Sequence, residues 1–253
     1  MSTETQIIAA LRSQGLPPPS SAWIQTALPN RNPLPPLQAL VATVKTRFLA
    51  ADLTNPALFD SPPPAFPPNC SNPEVKDVKL NCDILVQVLD IDNLSKSKWQ
   101  QVEELEAIAR GEQTKGREII RLATRNEEDE DGVDRPYTHA AANPAERGGG
   151  SAASANAANA AKKATHRLVL QDCKGQKIHG LELIRIDKIG VGSLNIGEKF
   201  MLKRGATIAR GILLLEPTTC TILGGKVEAW QKFWIESRLA RLRETVGADR
   251  DVQ

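Results

Sequence analysis

Aromatic residues are scarce: they make up 4% of the 253 residues, with a single Tyr. That is low for a protein that grips single strands by stacking bases on rings. No apolar run approaches 18 residues, so no transmembrane helix is expected. Met1 to Leu16 is polar and periodic, unlike a signal peptide, and an intracellular chain follows as the expectation. Cys70, Cys82, Cys173 and Cys220 fit no zinc or redox spacing and are expected to stay reduced. Gly225-Lys226 lacks the earlier glycine of a phosphate loop. Gly190-Val191-Gly192 lacks a third glycine at Asn195 and opens no helix. His139, His166 and His179 are isolated, and no Gly-x-Ser-x-Gly elbow occurs. No catalytic, cofactor-binding or metal residue is therefore nominated, and neither an enzyme nor a small-molecule substrate is expected.

What is present is unevenly spread. Fourteen of 17 prolines lie in the first 73 residues. Net charge is zero over residues 1–75, −3 over 76–165 and +5 over 166–253. The overall charge of +2 argues against a globally basic nucleic-acid coat.

The first region predicts three short helices. Thr3 or Thr5 caps one carrying Ile7, Ile8 and Leu11, stopped by Gly15 and Pro17 to Pro19. Ser20 or Ser21 precedes another with Trp23, Ile24, Ala27 and Leu28. Pro35-Pro36 opens a third, with Leu37, Leu40, Val41, Val44, Phe48 and Leu49 on one face. So small a bundle needs docking on its neighbour. Pro56 to Pro73 reads as an extended strap.

Leu80 to Ile91 then reads as a strand. Ser97 and Gln100 form a capping box for a helix with Trp99, Val102, Leu105 and Ile108, closed near Gly111. From about residue 124 the composition changes. Glu127, Glu128, Asp129, Glu130 and Asp131 are consecutive, and residues 139–165 hold 12 alanines in 27. This stretch lacks core residues and predicts a disordered insertion within a domain. Strands follow at His166–Asp172, Gln176–Ile186, Glu198–Arg204 and Thr207–Leu215, with a short segment at Thr218–Leu223. Lys226 to Val246 reads as a helix whose Trp230, Phe233 and Trp234 are expected to pack on the sheet. Five or six short strands suffice for a small antiparallel barrel.

The ordered set I-L-V-Q-V-L-D-I-D-N-L-S (Ile84–Ser95), H-R-L-V-L-Q-D (His166–Asp172), G-I-L-L-L-E-P (Gly211–Pro217), I-L-G-G-K-V-E (Ile222–Glu228) and E-S-R-L-A-R-L (Glu236–Leu242) resembles the RecQ-mediated genome instability protein 1 family in a short fungal-like form. The likeness runs from Ala22 to Val246, apart from the Ala-rich insertion. It implies an α+β fold. A small N-terminal three-helix bundle (1–60) and a Pro-rich strap (61–78) lead into an antiparallel oligonucleotide/oligosaccharide-binding (OB) fold β-barrel with a C-terminal helix (79–246). A long disordered insertion, about 112–164, lies between strands one and two, and 247–253 is a tail. One departure concerns Asp187 to Gly197, which is too short for much of the helix many OB folds place there.

The resemblance implies a non-catalytic, nuclear subunit of a complex of topoisomerase III with a RecQ-type (Bloom-like) helicase. Such a complex dissolves double Holliday junctions and limits crossovers. Lys199 matches a family lysine after a glycine-containing turn. By strand alternation it lies opposite Phe200, is expected to be exposed, and is nominated to contact topoisomerase III; a solvated lysine is the plain alternative. Glu127 to Asp131 are nominated to reach the cationic topoisomerase gate, against the alternative of a solubilising loop. In the strands the ring-bearing residues are Phe200, His166 and His179, with Phe200 expected inside, so any DNA contact is expected to be weak and electrostatic. The competing reading is an OB-fold single-stranded DNA-binding protein.

Overall fold

The computed structural model describes residues 2–28, 34–111, 113–114, 117–118 and 164–247. Three helices come first: α1 (Thr3–Ser13), α2 (Ser21–Ala27) and α3 (Leu37–Ala50). The α1 cap is Ser2, whose side chain accepts from the Thr5 amide, rather than Thr3 or Thr5. Ser20 caps α2 through the Trp23 amide. Either hydroxyl satisfies an amide that a first turn otherwise leaves unpaired. Pro36 stands at the α3 N-cap, where a missing amide costs nothing. Ile7, Leu11, Ile24, Leu40, Val44 and Phe48 share one buried core.

No helix or strand forms between Pro56 and Pro73. The strap is fixed by polar contacts instead. Asp172 accepts from the Phe66 amide at 2.9 Å, and the Gln176 side chain donates to the Phe66 carbonyl at 3.3 Å. The Phe66 ring is buried in the sheet core.

The strands are β1 (Asp77–Lys79), β2 (Ile84–Asn93), β3 (Gln113–Thr114), β4 (Arg117–Glu118), β5 (His166–Asp172), β6 (Lys177–Glu182), β7 (Lys199–Leu202), β8 (Thr207–Ala209), β9 (Ile212–Leu215) and β10 (Cys220–Gly224). Eight pair in the order β1-β8-β9-β6-β5-β2-β7-β10, and β3 pairs with β4. The large sheet curls into an open half-barrel with β1 and β10 as its edges. It is mixed rather than purely antiparallel, because β6 and β9 run parallel. Its concave side buries Ile84, Val86, Val88, Leu168, Leu170, Ile178, Phe200 and Leu213. Gly180 lies on that side, where an added Cβ would sit 3.1 Å from Leu215 and 3.2 Å from Leu170.

Two strands differ from expectation. Thr207–Leu215 is a hairpin, β8 turning into β9 at Arg210 and Gly211, whose φ values are 52° and 80°. Paired positive φ values match the right-handed twist of the flanking strands. The second strand of the β5–β6 hairpin stops at Glu182, because its carboxylate accepts from the Ile186 amide and turns the chain. The short β1, across the end of the expected strap, pairs with β8.

Between β6 and β7 there is no helix. Ile189, Leu194 and Ile196 instead reach into the core from turns. Helix α4 (Lys98–Ala109) starts at the expected Ser97–Gln100 capping box. Helix α5 (Glu228–Val246) buries Trp234 and partly buries Trp230, but Phe233 is 69% exposed. The expected packing of Phe233 is thus corrected: it points away from the side that carries Trp234 and Leu242.

Candidate functional site

The convex side of the sheet has a covered half and an open half. Over β2 and β7, Leu85 and Met201 join the helical core of Ile7, Leu11, Phe48, Leu53 and Leu58. Their neighbours in register, Gln87 and Lys199, are also covered. Gln87 accepts from the Leu53 amide at 3.0 Å and donates to Asp52 at 2.7 Å and Gln171 at 3.1 Å. The Lys199 ammonium donates to the Gly197 carbonyl.

Lys199 therefore has no accessible surface, and its expected exposure is corrected. The alternation was read correctly, since Lys199 and Phe200 do face opposite sides. The outer side at this point is roofed by the helices and the segment after α3. Direct contact with a partner loses its physical basis. Burial pushes the Lys199 pKa down to about 8, against the opposing pull of Asp52 and Glu198. Burial also pushes Asp52 up, but hydrogen bonds from Gln87 and Thr54 and the Lys199 charge outweigh it, so its pKa is lowered. These polar groups tie the helical domain to the sheet.

The open half lies over β5, β6 and β9. Val169 pairs with His179, which pairs with Ile212, and Leu181 pairs with Leu214. These residues alternate with the buried Leu168, Leu170, Ile178, Leu213 and Leu215 and so face outward. His179 and Ile212 are exposed; Val169, Leu181 and Leu214 are half-buried. Leu183 and Ile184, just beyond β6, are exposed too. His179 is the one exposed ring on the described strands, because Phe200 and His166 are buried.

The expected insertion lies, with α4, in the segment between β2 and β5, and the two ends of that segment meet. Leu94 donates to the Thr165 carbonyl and Thr165 donates to Ser95 Oγ, both at 2.9 Å. Segment 96–164 thus leaves and returns at one corner. Behind that corner, buried His166 Nδ1 sits 2.8 Å from Glu182, which also accepts from Arg185 at 2.6 Å. Burial pushes the Glu182 carboxyl up, but these hydrogen bonds and the Ile186 amide hold its pKa below the usual range. The nominated residues Glu127, Glu128, Asp129, Glu130 and Asp131 lie outside the described residues.

A second charged cluster, not singled out from sequence, lies where α4 and α5 meet β2. Trp234, Arg238 and Arg241 follow at helical spacings of four and three, which was the available signal. Trp234 Nε1 donates to Asp90 at 2.6 Å, and both guanidiniums lie over the indole. Among the described residues, no group of three His, Cys, Asp or Glu side chains is placed to hold a metal ion.

An OB-fold half-barrel braced by a helical domain, and interrupted after its first long strand, is the class of protein these features define. Residues 11–56 match the family model described as RMI1, N-terminal helical domain, and residues 66–238 match that of the RMI1, N-terminal OB-fold domain. The chain belongs to the RMI1 family. It is 30% identical over 166 residues to RecQ-mediated genome instability protein 1 of Schizosaccharomyces pombe. The match covers 66% of this chain and 65% of that relative. The name of that relative refers to genome instability, and neither matched model describes a catalytic domain.

Proposed function

We propose that the chain is a non-catalytic, nuclear subunit that binds topoisomerase III, works with a RecQ-type helicase, and promotes dissolution of double Holliday junctions. The observation that carries this reading is the match of a helical and an OB-fold domain, in that order, to the RMI1 family. The convex surface supports a protein partner. It offers Leu181, Ile212 and Leu214 where an OB fold that grips single strands usually offers rings. The acidic run at 127–131 is assigned to the cationic gate of the topoisomerase, where carboxylates mimic phosphate charge. It biases the gate only by binding one state better than another.

The test is co-purification of the full chain with recombinant topoisomerase III, followed by dissolution assays with the full chain and with residues 126–163 deleted. A stable complex, with binding kept and dissolution impaired on deletion, is the expected result. Absence of a complex overturns the subunit reading; wild-type dissolution by the deletion variant reduces the insertion to a spacer.

A further inference from the structure

The cluster around Trp234 lines a groove of about 360 Å³ between β2, α4 and α5. Its carboxylates are already engaged. Asp90 accepts from Trp234 Nε1 at 2.6 Å and from Arg241 at 3.2 Å. Asp92 accepts from Arg167 at 2.8 Å and from Lys98. Arg238 differs. Its guanidinium lies 5.1 Å from the Trp234 ring centroid and donates to Gln101 at 3.3 Å. Among the described residues it makes no ion pair within 4.0 Å. A guanidinium carries five N–H donors in a fixed fork, and beyond Gln101 this one, which lines the groove, has no hydrogen-bond acceptor among the described residues. Burial holds the Arg238 pKa below its ordinary value, with Arg241 adding to the effect and Asp92, Asp90 and Glu104 opposing it.

We propose that this groove binds the carboxylate of an acidic peptide segment from a protein partner, with Arg238 as its bidentate anchor. Arg–carboxylate forks are among the stronger charge-assisted contacts, and the half-desolvated setting sharpens them. The walls select for a single carboxylate over a row of phosphates. Asp90, Asp92 and Glu244 line the groove against Lys98, Arg167, Arg238 and Arg241, which leaves a single excess positive charge, enough for one carboxylate and little for a polyanion. Ile91, Trp234 and Leu242 add apolar lining for the methylenes of a glutamate. Ile235, one turn before Arg238, is 57% exposed and extends the apolar contact along α5, as a peptide requires. This site is independent of the topoisomerase reading.

The experiment uses the full chain and three fluorescein-labelled probes: a short peptide alternating Glu and Leu, the same peptide with Gln for Glu, and oligothymidylate. Fluorescence anisotropy gives affinity, and the Trp234 indole N–H resonance reports occupancy. The Glu peptide is expected to bind and to shift that resonance, with the Gln peptide about tenfold weaker or more. Arg238→Gln removes the difference between the two peptides, while Lys177→Gln on β6, outside the groove, leaves it unchanged. Arg238→Lys keeps the charge without the fork and gives intermediate affinity at an unchanged melting temperature, which separates anchoring from folding. Equal affinity for both peptides, no binding, or indifference to both Arg238 variants overturns the proposal. Arg238-dependent preference for oligothymidylate also overturns it and assigns the groove to phosphate.

Discussion

The two halves of the convex sheet surface carry similar strand patterns and meet different fates. Over β2 and β7, outward residues lie under the helical domain, and even a lysine is sealed in. Over β5, β6 and β9, outward Leu181, Ile212 and Leu214 have no such roof among the described residues. Strand alternation assigns a side chain to a face; it does not say what covers that face. A cation under the roof is a structural element, whereas apolar residues beyond it are available to a partner.

The largest effect expected from breaking this contrast comes from Lys199→Glu. It would bury a carboxylate near Asp52 and Glu198, at a cost of about 3–5 kcal/mol, measured by urea unfolding. Loss of partner binding with full stability would show instead that Lys199 is a contact residue. Met201→Ala, under the same roof, should destabilise by about 2–4 kcal/mol through the cavity it leaves. On the open half, Ile212→Glu should leave the melting temperature nearly unchanged and weaken topoisomerase III binding about tenfold or more, read by titration calorimetry. If it unfolds the protein and Met201→Ala does not, the assignment of the two halves is reversed.

Titration sharpens the same contrast. The folded Lys199 pKa, about 8, lies below the ordinary 10.5, so the folded state holds fewer protons than the unfolded state between those values. Stability from this group therefore rises with pH across that window and is lowest below pH 8. The gain is about 3 kcal/mol at most, at 1.36 kcal/mol per unit. Wild type should gain on Lys199→Met over that range in paired urea titrations; a flat difference would mean the ammonium is solvated. A further loss of stability is expected at Gly211→Ala. There φ is 80° and a Cβ would lie 2.5 Å from the Ser71 carbonyl, so the melting temperature should fall by several degrees.

Local patterns made much of the fold legible. The Ser97–Gln100 capping box, the α3 face and the β5 strand all followed from spacing. The Arg210–Gly211 hairpin did not, because a two-residue turn inside an apolar run leaves little compositional trace. The covered lysine was missed for a different reason: its roof comes from residues more than 100 positions earlier, and no local window contains both. The Trp234, Arg238 and Arg241 spacing was visible, but the opposing Asp90 becomes a partner only once β2 and α5 pack.

The most direct measurement is the salt dependence of binding by the full chain to topoisomerase III and to oligothymidylate, side by side. A protein interface centred on the open apolar half should hold topoisomerase III with little change as salt rises, while DNA binding stays weak and falls steeply. Absence of a topoisomerase III complex, with tight and steeply salt-sensitive binding to oligothymidylate, would contradict the account and favour a single-strand DNA-binding protein.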